Sequence, residues 1–81
     1  MIIIDSARKH NISDQDITFV YETANKSLVL QQEDGPPLTL LFGFDTIGRG
    51  LEVGYVINAE NEIIVIHAMK IRPHYKNYLY G

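Results

Sequence analysis

The 81-residue chain contains no cysteine and no tryptophan. Without cysteine it forms neither a disulfide nor a thiolate metal site, so packing must hold it together, and it suits a reducing cytosol. No apolar run approaches the roughly 18–20 residues of a membrane span, so no membrane partner is expected. Met1-Ile2-Ile3-Ile4 is cut short by Asp5, which leaves no apolar region for a secretory signal. No glycine-rich phosphate loop, zinc-ligand spacing or nucleophile elbow is present. His10, His67 and His74 lie too far apart in sequence to read as a metal site. No metal and no cofactor is therefore expected.

The most informative absence is of one sign of charge. From Ile63 to Gly81 there is no Asp or Glu, while Lys70, Arg72 and Lys76 are all there, with His67 and His74. All ten acids lie in residues 1–62, against Arg8, Lys9, Lys26 and Arg49, so the net charge of −3 hides an acidic body and a basic end. The overall acidity argues against a general nucleic-acid binder, whose usual footprint is a basic domain. Local charge is what keeps that reading open. Hydrophobic residues make up 46% and charged residues 21%, which is ordinary for a globular chain and too apolar for disorder. The length allows one domain, residues 1–81, with a single small core.

Periodicity predicts the elements. Ile2 to Ile4 reads as an edge strand or a covering tail. Ser6 to His10 reads as one or two helical turns, and Asn11 sits where a left-handed residue closes a helix. Ser13 is an N-cap, with Asp16 three residues on in the manner of a capping box. Ile17, Val20, Tyr21 and Ala24 then recur on one helical face. From Ser27 the period becomes two. Strands are expected over 27–32, 38–44, 51–58 and 62 to 70 or 71, divided by turns at Pro36-Pro37, Gly48-Arg49-Gly50 and Glu60-Asn61. Pro73 ends the last strand and opens a short helix. The expected fold is α+β: two N-terminal helices packed on a four-stranded antiparallel meander, then a short C-terminal helix.

On the last strand, regular alternation puts His67 with Ile63, Val65 and Met69, and Arg72 with Lys70 on the other face. His67 is the leading catalytic candidate, because imidazole titrates near neutrality and can give or take a proton. Its plainer use is as a half-buried histidine bonded to a carboxylate such as Glu52 or Asp16. Arg72 can clamp a phosphate bidentately or simply be a solvated strand end. Lys70 and Lys76 can make phosphate contacts. Tyr75 and Tyr78 can stack on bases or pack a C-terminal helix. Arg49, in a Gly-Arg-Gly turn, reads as exposed and free to reach a backbone. Lys9 and His10 close the first helix, where they complement its dipole.

Three segments carry a resemblance. Ser6-Ala7-Arg8-Lys9-His10-Asn11-Ile12-Ser13 with Asp16-Ile17 resembles the Lys-His-Gly-Ile start of BrnT-type toxins and their actinobacterial relatives. Gly48-Arg49-Gly50-Leu51-Glu52-Val53 resembles their hairpin strand, and Val65-Ile66-His67-Ala68-Met69-Lys70-Ile71-Arg72 resembles their closing strand. Asn11 stands where the family usually has Gly, and His67 where BrnT tends to have Ser. The resemblance implies a fold similar to the RelE/ParE toxins. It also implies a bacterial ribonuclease toxin that inhibits translation and is held by a cognate antitoxin protein, alone or in a hetero-oligomer. The matched residues are Lys9, His10, Arg49, His67 and Arg72. The expected site then has His67 and Arg72 as catalytic residues of a metal-independent endoribonuclease. Lys9, His10, Arg49, Lys70, Tyr75 and Lys76 are its RNA contacts. Two other readings stand beside it: a non-enzymatic member of that fold that pairs with a protein through its basic end, and an interaction domain that forms a homo-oligomer through an open sheet edge.

Overall fold

The computed structural model describes residues 1–81 and is α+β, built on one five-stranded mixed sheet. In chain order the elements are β1 (Ile2–Ile3), a 3₁₀ turn (Asp5–Arg8), α1 (Asp14–Thr23), β2 (Lys26–Leu30), β3 (Leu38–Phe44), β4 (Gly50–Ile57), β5 (Ile63–Lys70), a second 3₁₀ turn (Pro73–Tyr75) and α2 (Lys76–Tyr80). The sheet order is β1-β5-β4-β3-β2. No helix is long and apolar enough to cross a membrane.

Two expectations about the N-terminus need correction. The first helix is only a 3₁₀ turn, because Asn11 takes a left-handed backbone (φ 60°) and stops it after Arg8. The sheet also has a fifth strand: Ile2 and Ile3 pair in parallel with Ile64 and Val65. That pairing makes the sheet mixed and sets β5 between two partners, as its apolar composition requires. The remaining pairings, β2 to β3, β3 to β4 and β4 to β5, are antiparallel.

The helix side of the sheet follows from the sequence pattern. Ser13 Oγ accepts from the Asp16 amide at 3.1 Å and starts α1. Ile17 and Val20 then lie fully buried with Ile12, Ala7, Leu51, Val53, Val65 and Ala68, and Ala24 and Tyr55 pack at the margin. Each buried Ile, Val or Leu among them contributes roughly 1.5–3 kcal/mol by leaving water. Tyr21 meets the Tyr55 ring edge-on at 5.6 Å. The opposite side holds a smaller cluster, Leu40, Phe42 and Ile71, covered by Tyr75 and Leu79 from the C-terminal turns. α2 is only five residues long, so it roofs just part of that side. The rest stays open.

One irregularity sets the site. Gly54 pairs with His67, yet Tyr55 pairs with Val65, so Ile66 has no partner across the strand. This is a β-bulge. Val65 and Ala68 therefore share the helix side even though three positions separate them, and His67 and Met69 pass to the other side. The Ile66 carbonyl, lost to the ladder at this point, accepts from Ser6 Oγ at 2.8 Å. Regular alternation had grouped His67 with Val65, and the bulge overturns that grouping.

Candidate functional site

The open side of the sheet carries a fully buried carboxylate, Glu52, on β4. A buried charge is expensive unless it is paired and hydrogen-bonded, and here it is both. Glu52 Oε1 accepts from His67 Nε2 at 2.7 Å and from Arg72 Nε at 2.9 Å, and Arg72 Nη2 lies 2.7 Å from it as an ion pair. Its Oε2 accepts from the Arg72 amide at 2.9 Å. Burial pushes the Glu52 carboxyl up, but the side-chain and backbone bonds from Arg72, with that of His67, outweigh it and hold the group below the usual glutamate range. The same contact, partly countered by burial, raises the Arg72 guanidinium above its ordinary value.

His67 and Arg72 thus converge, although strict alternation had them on opposite faces. The convergence arises at the end of β5. Pairing stops at Lys70, Ile71 donates its amide to the Gly50 carbonyl at 3.0 Å, and the chain bends before Pro73. That bend turns both the Arg72 amide and its side chain back onto Glu52. The guanidinium also lies 5.3 Å from the Tyr75 ring centre, a cation–π contact.

Because Glu52 is ionised, His67 Nε2 donates to it, and Nδ1 is the nitrogen with no protein partner. No buried side-chain nitrogen or oxygen in the chain lacks a bond, so Nδ1 reaches solvent. His67 lines a groove of about 490 Å³ together with Lys9, His10, Leu30, Leu38, Leu40, Ile66, Met69, Arg72 and Tyr75. A second hollow, about 340 Å³, shares His10 and Met69 with it and adds Asn11, Ile12, Arg49 and Lys70. No acid lines either one. A third, of about 420 Å³ beside α1, is instead lined by Asp14 and Glu22.

Lys9 and His10 reach the groove from the elbow between the first 3₁₀ turn and α1. That elbow is clamped by a two-pronged Arg8–Asp14 pair, Nε to Oδ1 at 3.0 Å and Nη2 to Oδ2 at 2.9 Å. The His10 and His67 rings stand edge to face, 6.4 Å between centres. Lys9, Lys70 and Lys76 are exposed and form no ion pair. Lys76, on α2, lines neither hollow.

Arg49 differs from its expected role. It is not a free turn arginine. Its Nε donates to Asp45 Oδ2, and its Nη2 lies 3.5 Å from Asp16 Oδ2. Asp45 Oδ1 also accepts the Ile47 amide at 3.0 Å and the Arg49 amide at 2.8 Å. Burial pushes the Asp45 carboxyl up, but these Arg49 and Ile47 bonds prevail and hold it below its ordinary range. The turn is thereby fixed to α1, and Arg49 faces the second hollow with its charge already matched. Asp16 serves this pair and makes no return bond to the Ser13 amide, so the capping box is one-sided.

Tyr75 has a double position: it lines the groove while packing 5.3 Å from Phe42. Tyr78 is stacked on Phe42 at 4.9 Å and belongs to the packing alone. Glu52 was foreseen only as a possible partner for His67. The signal was an acid within an apolar strand, Leu51-Glu52-Val53, on the face shared with Gly54. Comparison with protein-family models, with curated proteins and with solved structures gives no match.

Proposed function

We propose that this chain is a BrnT-like member of the RelE/ParE-type toxins, an endoribonuclease whose groove takes an RNA strand. The observation that carries the reading is the meeting on the buried Glu52 of His67 and Arg72, two residues of a groove that Lys9 and His10 also line and no acid does. Each part has a role in transesterification. The RNA 2′-OH attacks the neighbouring phosphorus, the bond to the 5′-oxygen breaks, and a 2′,3′-cyclic phosphate and a 5′-hydroxyl result. His67 Nδ1, the ring nitrogen that Glu52 leaves free, is the base for the 2′-OH. Glu52 fixes the imidazole in that tautomer, as an orienting carboxylate does. Arg72, held by Glu52 on its Nε–Nη2 edge, offers Nη1 to the charge that grows on phosphorus. His10 is the nearest second imidazole and returns a proton to the leaving oxygen. Lys9 and Lys70 hold flanking phosphates.

Expression in a bacterial host tests this. Growth arrest with loss of cellular RNA is expected, relieved by His67→Ala and by Arg72→Ala in variants that still fold, and by a co-expressed antitoxin. Arrest that persists in both variants removes the catalytic assignment.

A second reading has its own support. Six of the ten groove residues are apolar or aromatic, and the Arg72 charge is already engaged by Glu52. Those features suit a protein partner docked at the basic end without any chemistry. A chain that is harmless in cells, cleaves no RNA and captures a protein through this groove would favour it.

A further inference from the structure

The groove has two chemically distinct halves. One wall is aliphatic, from Leu30, Leu38 and Leu40 of β2 and β3, and it faces Met69 and Tyr75. The mouth is basic, from Lys9, His10 and Arg72. Beneath Leu38, Leu40 and His67 lies Gly54, in the middle of β4, where a glycine weakens a strand. Its location explains it. A Cβ there would stand 3.1 Å from Leu38 Cδ1, 3.1 Å from Leu40 Cδ2 and 3.2 Å from His67 Cβ. The missing side chain lets Leu38, Leu40 and His67 close over the buried Gly54 and so form one wall of a groove whose size is that of small-ligand pockets, roughly 300–1,000 Å³.

From this geometry we infer that the groove is a one-nucleotide slot. A single nucleobase lies against Leu38, Leu40 and Met69, and its phosphate sits at the Lys9–Arg72 mouth. The inference deepens the ribonuclease reading by naming the form of the substrate: a single-stranded, unstacked residue. Bases of a duplex are stacked and paired, and cannot turn a free face to this wall. The ligand needs an uncharged flat half and an anionic half a few ångströms apart, which a nucleotide supplies. The slot tolerates different bases, because its walls are aliphatic and the Tyr75 faces are engaged by Phe42, His74 and Arg72.

The test is a side-chain-resolved NMR titration of the whole chain with AMP, with UMP and with ribose 5-phosphate, which lacks a base. Both nucleotides are expected to shift Leu38, Leu40, Met69 and His67, and to bind roughly tenfold or more tightly than ribose 5-phosphate. Ribose 5-phosphate is expected to shift only Lys9, His10 and Arg72. Leu38→Trp fills the slot without changing its charge, and should erase the preference for nucleotides while keeping ribose 5-phosphate binding. Met69→Phe does the same from the other wall should Leu38→Trp fail to fold. Equal affinity for all three ligands overturns the inference, as does a shift pattern confined to the mouth. Absence of any binding also overturns it and leaves the groove to a protein partner. RNA cleavage measured in parallel separates the two proposals. Base-dependent binding without cleavage upholds the slot and sinks the ribonuclease reading. Cleavage with base-independent binding does the reverse.

Discussion

The two sides of the sheet are built on different terms. Against α1 the packing is dry and apolar: Ile17, Val20, Leu51, Val53, Val65 and Ala68 are all fully buried. On the other side the apolar cluster is reduced to Leu40, Phe42 and Ile71, and a buried carboxylate stands beside it. The first side needs only side chains of the right size. The second requires a charged residue to find three donor groups, and its open part leaves His67 and Arg72 half-exposed. One side holds the fold, and the other holds polar groups in fixed positions at a cost in stability.

The largest expected effect breaks the first side. Ile17→Ala should cost about 2–5 kcal/mol, because the site cannot collapse beneath α1, and urea unfolding measures it. Next comes the polar cluster. Arg72→Ala strands Glu52 with His67 alone and should cost about 3 kcal/mol, the low end for a broken buried pair, because the guanidinium is itself part-exposed. Arg72→Ala combined with Glu52→Gln should recover part of that loss, which a double-mutant cycle detects.

Acid provides a third test. The carboxyls of Glu52 and Asp45 are lowered on folding. Their stabilisation is therefore present above the unfolded carboxylate pKa, near 4, and is lost as the pH falls through the folded values. Stability should drop below about pH 4, and Glu52→Gln should flatten that drop. Ile17→Ala should lower the whole curve without changing its slope.

Smaller effects sharpen the contrast. Gly54→Ala crowds Leu38, Leu40 and His67 on the groove side only. Its stability should change by less than about 1 kcal/mol, since lost chain freedom in the unfolded state offsets the crowding, while activity and ligand binding fall further. Ser6→Ala leaves the bulged Ile66 carbonyl without its donor and should cost about 1 kcal/mol. Lys9→Ala should leave stability within roughly 0.5 kcal/mol. It should weaken RNA binding and reduce its salt dependence, read as a shallower slope of affinity against salt.

The helix side was legible because its information is local. Period 3.6 marked Ile17, Val20 and Ala24, and period two sorted Leu51 and Val53 from Glu52 and Gly54. Ser13 as N-cap and Asn11 in the left-handed region followed from the same kind of signal. The groove side was legible in its residues and not in its geometry. His67, Arg72, Lys9 and His10 were all singled out, but alternation cannot count past a bulge, and nothing local marks Ile66 as the extra residue. Whether Arg49 is free depends on Asp45 and on Asp16, 33 positions away, a pairing that only the folded chain creates. The parallel strand at Ile2–Ile3 is likewise a long-range pairing, of a segment two residues long.

The most direct measurement is cleavage of a labelled single-stranded RNA in the presence of a chelator, with the 3′ ends identified. Wild-type protein should cleave it and leave 2′,3′-cyclic phosphates. His67→Ala should be slower by about two to four orders of magnitude in protein that is still folded at the assay temperature. A folded wild-type chain that leaves the RNA intact, or a His67→Ala variant that cleaves at the wild-type rate, would contradict the role given to the Glu52–His67–Arg72 cluster.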